Sequence, residues 1–125
     1  MKHKTSELKG HFLDAAVAKA EGLQYGIEFF ASNPPKGYTV WLMVDGRPDF
    51  SARWNPSTNW AHGGPIIERE GIELWKWKGD DGAYWCSHVG GRRIDSGDKE
   101  SFGETALIAA MRALVAAKNG AEVDL

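Results

Sequence analysis

The chain has 125 residues, of which 42% are hydrophobic and 26% charged, and its formal net charge is -2. At this length one domain spanning 1–125 with one hydrophobic core is expected, and the supply of large apolar side chains excludes a wholly disordered, collagen-like or coiled-coil protein. A general nucleic-acid coat is normally basic, so the acidic balance argues against broad binding to phosphate backbones while leaving room for a local basic patch.

The first predicted element is a helix over 9–21. Leu13, Ala16, Val17 and Ala20 recur at helical spacing and form one apolar stripe, whereas Asp14, Lys19 and Glu21 lie away from it. Gly22 suits the stop, and Ser6 or Thr5 compete as cap. Residues 31–37, with Asn33-Pro34-Pro35-Lys36-Gly37, read as a loop. The period then changes to two. Tyr38 to Val44 reads as a largely buried strand, Asp45-Gly46-Arg47-Pro48 as a turn, and Phe50, Ala52 and Trp54 alternate with Ser51 and Arg53. A hairpin of 38–44 with 50–54 follows. A second hairpin pairs Ile72 to Trp77 with Ala83 to Val89 through Gly79-Asp80-Asp81-Gly82. Residues 90–103, rich in glycine and charge, read as a mobile surface loop.

A closing helix is predicted over 104–118. Leu107, Ile108, Met111, Leu114 and Val115 form its stripe, and alanines fill most of the rest, so more than one side of it is covered. Thr105 is a candidate cap, Lys118 suits the negative end of the dipole, and Gly120 the stop. The expected fold is therefore α+β: an antiparallel sheet of about four strands with the N-terminal and C-terminal helices packed on one face.

The segment 54–72 is unlike a simple connection. It is polar at its start, glycine-rich in its middle, and Pro65 suits the first position of a short helix ending at Gly71. Gly63 and Gly64 would then expose backbone N–H groups just before that helix, a candidate anion cradle.

Pro56-Ser57-Thr58-Asn59-Trp60-Ala61-His62-Gly63-Gly64-Pro65-Ile66-Ile67-Glu68-Arg69-Glu70-Gly71-Ile72 resembles the central motif of the phage NinX-like family, small phage and prophage proteins of unknown function. Two flanking blocks are similar as well: Lys4-Thr5-Ser6-Glu7-Leu8 with Leu13-Asp14 and 16–22, and Gly103-Glu104-Thr105-Ala106-Leu107-Ile108-Ala109-Ala110-Met111-Arg112. The chain departs from the family pattern at Ala15, Asn59, His62 and Ala106, where the family usually has an aromatic, Asp, Gln and Pro. The resemblance implies origin and fold, and it carries over no catalytic residue.

The candidate chemistries divide by spacing. His62, His88, Cys86, Glu68 and Glu70 lack any regular zinc-ligand pattern, and a single cysteine, Cys86, allows neither an intramolecular disulfide nor a multi-cysteine site, so no metal and no cofactor are expected. Cys86 or Ser57 as a nucleophile would need a base and an oxyanion site that nothing in the sequence supplies. Glu68 and Glu70, two apart on a helix, point in different directions. Trp75 and Trp77 share a strand face close in sequence to Lys76, Lys78, Arg92 and Arg93, a composition able to stack single-stranded bases; a covered sheet or a dimer interface would use the same tryptophans.

The leading expectation is a phage or prophage accessory protein that binds an unidentified phage or host macromolecule and catalyses nothing. Its contact surface would be built by Asn55, Ser57, Thr58, Asn59, Trp60, His62, Gly63, Gly64 and Arg69. Trp54 and Trp60 would pin the loop, and the polar side chains would hydrogen-bond the partner. The alternatives are a single-stranded nucleic-acid-binding protein using Trp75, Trp77, Arg92 and Arg93, or a small enzyme or nucleotide-binding protein with its site in 55–64. A homodimer is a further option. The start has no signal-peptide stretch and no window is long and apolar enough to span a membrane, so the cytoplasm of the bacterial host is the expected location and no membrane partner is expected.

Overall fold

The protein is described from a computed structural model over residues 1–30, 37–80, 82–89 and 100–125. The predicted loop at 31–37 and the stretch 90–99 of the predicted mobile loop lie almost wholly outside those residues.

The chain opens with a short strand β1 (Lys2–Lys4), a single 3-10 turn (Thr5–Glu7) and helix α1 (Gly10–Ala20). Glycine ends α1 as expected. With Gly22 in the left-handed region (φ 72), its N–H donates to the Lys19 carbonyl and that of Leu23 to the Ala18 carbonyl, a Schellman closure. Three strands follow, β2 (Tyr25–Phe30), β3 (Gly37–Val44) and β4 (Arg47–Arg53), then helix α2 (Trp60–Glu70), strands β5 (Ile72–Gly79), β6 (Gly82–Val89) and β7 (Ser101–Gly103), helix α3 (Ala106–Asn119) and strand β8 (Glu122–Asp124).

The α+β class is as expected, but the strands do not join into one four-stranded sheet. They form two antiparallel three-stranded sheets, β2-β3-β4 and β5-β6-β7, and a small β1-β8 pair. Both predicted hairpins exist, and each gains a third strand that the sequence reading does not assign. Tyr25–Phe30 pairs with residues 37–42 of β3, and Ser101–Gly103, inside the predicted mobile loop, pairs with β6.

The helices link these sheets. The first sheet packs on α1, the second on α3, and α1 packs on α3. Leu13, Ala16 and Val17 of α1 meet Ala110, Met111, Leu114 and Val115 of α3, with Ile66 of α2 and Ile72 of β5 completing the core. The alanines of α3 permit this coverage on several sides: Ala109 and Ala110 are fully buried, and Ser87 of β6 donates its hydroxyl to the Ala109 carbonyl at 2.6 Å. Thr105 caps α3, its Oγ1 accepting from the Ile108 N–H at 3.1 Å.

Candidate functional site

Beyond β4 the chain makes a tight polar turn. Trp54 rests half-buried on the core, and its backbone N–H donates to the Val40 carbonyl at 2.8 Å. The Asn55 carbonyl accepts from Thr58 and Asn59, and the Asn55 side-chain oxygen accepts from Asn59 Nδ2 at 3.2 Å. The Asn55 N–H donates to His62 Nδ1 at 3.2 Å, and the His62 ring stacks on Trp54 with centroids 5.2 Å apart. Burial holds the His62 pKa below its ordinary value, so the ring is neutral at pH 7 and Nδ1 is free to accept.

Asn59 is the cap of α2, its Oδ1 accepting the Ala61 N–H at 2.9 Å. The helix therefore begins at Trp60 and not at Pro65. The side chain of Asn59 satisfies a first-turn donor, and Pro65 is accommodated in the interior because Gly64 before it has no Cβ to meet the proline ring. Gly63 and Gly64 thus lie inside the helix, and the anion cradle expected from them does not form; the Gly63 N–H donates to the Asn59 carbonyl at 2.9 Å. Gly63 has a packing role. A Cβ there would stand 2.6 Å from Leu107 Cδ2 and 2.7 Å from the Pro56 carbonyl oxygen, so glycine lets α2 close on α3. Gly71, in the left-handed region (φ 62), ends the helix as expected.

Most of the polar side chains expected to face a partner are thus bonded to one another. Ser57 is buried, Asn55, Asn59 and His62 are half-buried, and Thr58 is exposed. Trp60, expected to pin the turn, is 56% exposed. It occupies the first position of α2, where the anchoring is done by the Asn59 cap and by Ile66. Arg69 ties α2 to α1, reaching both Glu21 carboxylate oxygens at 2.6 and 2.7 Å. Glu70 pairs with Lys118 and Arg69, and Glu68 is exposed, so the two glutamates do not act together.

Asp14, read as lying off the apolar stripe, is the residue whose placement the sequence reading missed. It is only 6% exposed, because the 55–58 turn docks on that side of α1, and its Oδ1 accepts the Ser57 N–H at 2.8 Å. Burial pushes its pKa up to about 6, against the opposing effects of Ser57 and the charge of Arg53. The Ser57 hydroxyl lies beside the same carboxyl and steadies its charged form, but makes no hydrogen bond of regular geometry.

On the second sheet the register puts Trp75 opposite Cys86 and Trp77 opposite Tyr84, while Lys76 and Lys78 alternate to the other face. The two lysines thus do not interleave with the two tryptophans on one surface, and Arg92 and Arg93 lie outside the described residues. An aromatic row does cross the sheet. Trp77 and Tyr84 rings stand 4.9 Å apart, and Tyr84 meets Phe102 edge-on at 5.5 Å. Trp77 and Phe102 are exposed, Trp75 and Trp85 half-buried, and Trp41 is buried in the first sheet. Cys86 is buried, and burial with the nearby charge of Glu100 raises its thiol pKa, which keeps it protonated and unreactive. Among the described residues no three His, Cys, Asp or Glu side chains gather as metal ligands, and no helix is long and apolar enough to cross a membrane.

A search of curated proteins finds no match to the chain. The family model described as Bacteriophage P22, NinX matches residues 4–118, which takes in the turn before α2, helices α1 and α2, nearly all of α3 and both three-stranded sheets. The chain belongs to the phage NinX family and is a phage accessory protein.

Proposed function

We propose that this accessory protein binds another macromolecule, of the phage or its host, without catalysing a reaction, and that it does so in the bacterial cytoplasm through the surface built by residues 55–64 and Arg69. The observation that carries this reading is the exposure of Trp60, 56%, beside a turn whose Asn55 and Asn59 side chains are already hydrogen-bonded. A large aromatic ring held out by a rigid turn loses little entropy on docking and suits the centre of an interface. Trp60 and Thr58 would meet the partner. Asn55, Ser57, Asn59 and His62 hold the turn in shape, Gly63 and Gly64 set α2, and Arg69 fixes it to α1. Affinity capture from phage-infected cells tests the reading. Trp60→Ala is expected to reduce capture of a specific partner at least about tenfold, the effect of losing one well-packed anchor, with an unchanged melting temperature. Capture at full strength by that variant, or no specific partner at all, would remove the assignment.

The aromatic row Trp77, Tyr84 and Phe102, with Trp75 beside it, supports a second reading, in which single-stranded nucleic acid stacks on the sheet. Phosphate contacts would then fall to Arg92 and Arg93. Oligonucleotide titration at low salt should quench tryptophan fluorescence, and the quench should be lost in Trp77→Ala. A flat titration removes this reading, and sedimentation tests whether the same face joins two copies of the chain.

A further inference from the structure

The inner side of the same turn closes a cleft of about 160 Å³ between α1, β3 and residues 53–58. Asp14, Thr39, Arg53 and Ser57 line it, with Tyr38 and His11 at one side. The Tyr38 and His11 rings are stacked with centroids 4.8 Å apart, and Tyr38 is 57% exposed, so the cleft has a flat aromatic wall. Thr39 and Ser57 are 3% and 2% exposed; the Thr39 hydroxyl has no hydrogen-bond partner, and the Ser57 hydroxyl beside Asp14 has none of regular geometry. Two orphaned hydroxyls beside a buried carboxyl are an unusual concentration of unused hydrogen-bonding capacity, since buried polar groups are normally paired. A Ser or Thr hydroxyl takes a new partner by rotation about one χ1 bond, a common change on binding.

The charges narrow the ligand. An anion would meet the desolvated Asp14 carboxylate. A cation would meet Arg53, which is close enough to favour the charged form of Asp14. A neutral ligand remains, and it must donate to Asp14 while accepting from Arg53 and the two hydroxyls. A hydroxyl group does both with one atom, whereas an amide nitrogen only donates and an amide oxygen only accepts. The volume admits a single ring, and the aromatic wall suits its apolar face.

We propose that this cleft binds the hydroxylated ring of a sugar, either a free saccharide unit or the ribose of a nucleoside. The proposal goes beyond the macromolecule-binding reading, because Trp60 is not part of the cleft.

The test is amide chemical-shift titration of the full chain with ribose, glucose, a ribonucleoside and the matching 2′-deoxyribonucleoside. Saturable shifts at residues 14, 39, 53–55, 57 and 58 are expected, with a Kd in about the millimolar range suited to one ring with few contacts. Thr39→Val, which keeps shape and removes an unpaired hydroxyl, should leave the melting temperature unchanged or raised. It should also weaken binding roughly two- to tenfold, the loss of one hydrogen bond. Ser57→Ala serves as the second variant. Tighter binding of the ribonucleoside than of its deoxy counterpart and of free sugars identifies the ribose of a nucleoside, and tighter binding of a free sugar identifies a saccharide. Trp60→Ala should bind the ring as well as the unaltered chain does, which separates this result from partner capture. No saturable shift at the cleft with any of the four compounds, or shifts that Thr39→Val and Ser57→Ala leave intact, would overturn the proposal.

Discussion

Asp14 is held in a state that costs the fold stability at neutral pH. Its folded pKa, about 6, stands above the ordinary 3.8, so the folded chain binds the proton more tightly than the unfolded chain. The stabilisation this gives is complete below pH 3.8 and is lost as pH rises through about 6. Above that range the buried carboxylate costs roughly 3 kcal/mol relative to its protonated form. Asp14→Asn keeps an acceptor for the Ser57 N–H and brings an amide that can donate to the unpaired hydroxyls of Ser57 and Thr39. Urea unfolding should therefore show the variant more stable by roughly 1–3 kcal/mol at pH 7, with most of the gain gone at pH 4. Burial lowers the pKa of His11 and His62, and their contribution runs the other way, weakening as pH falls below 6.5. That slope is common to both proteins and cancels in the comparison. An equal gain at the two pH values would show that the Asp14 carboxyl is not the titrating group. Asp14 was illegible in the sequence for a physical reason. A helical wheel sees only its own helix, and the turn that buries Asp14 arrives from 43 residues away.

Elements whose boundaries are set by local chemistry were the legible ones. Gly22, Gly71, Thr105 and Gly120 end or begin their helices as read, because a cap or a left-handed residue acts within one turn. The start of α2 differs from the first-turn position that Pro65 suggests, because the side chain that begins the helix is Asn59. Asn59→Ala should cost about 1 kcal/mol in unfolding free energy, the usual worth of such a cap. A variant that lost partner capture without that cost would assign Asn59 to contact instead. Within α2 the two glycines should part company. Gly63→Ala forces a methyl against Leu107 and the Pro56 carbonyl and should destabilise by about 1–3 kcal/mol. Beyond its chain neighbours Gly64→Ala meets nothing within 4 Å, and its gain in helix propensity offsets the crowding against the Pro65 ring, so stability should change by less than about 1 kcal/mol. Equal effects in thermal melts would mean that α2 does not rest on α3 through Gly63.

At the scale of the whole molecule the contacts run from the first sheet to α1, from α1 to α3, and from α3 to the second sheet. The sequence fell short here because strand partners are chosen by long-range packing. Alternation reveals a hairpin, but not whether two hairpins share a sheet. The arrangement makes α3 the common support of both halves, the first sheet reaching it through α1. Met111 is fully buried at the α1–α3 contact, so Met111→Ala should cost about 2–5 kcal/mol. The informative measurement is where that loss appears. If the layers unfold as one unit, amide exchange at Val40 and Trp41 in the first sheet should accelerate as much as at Cys86 and Ser87 in the second, because each amide opens only by global unfolding. Faster exchange confined to Cys86 and Ser87 would show that the first sheet and α1 hold together without α3. The cleft at Asp14, which draws its residues from α1, β3 and the 53–58 stretch, would then belong to an independently stable half.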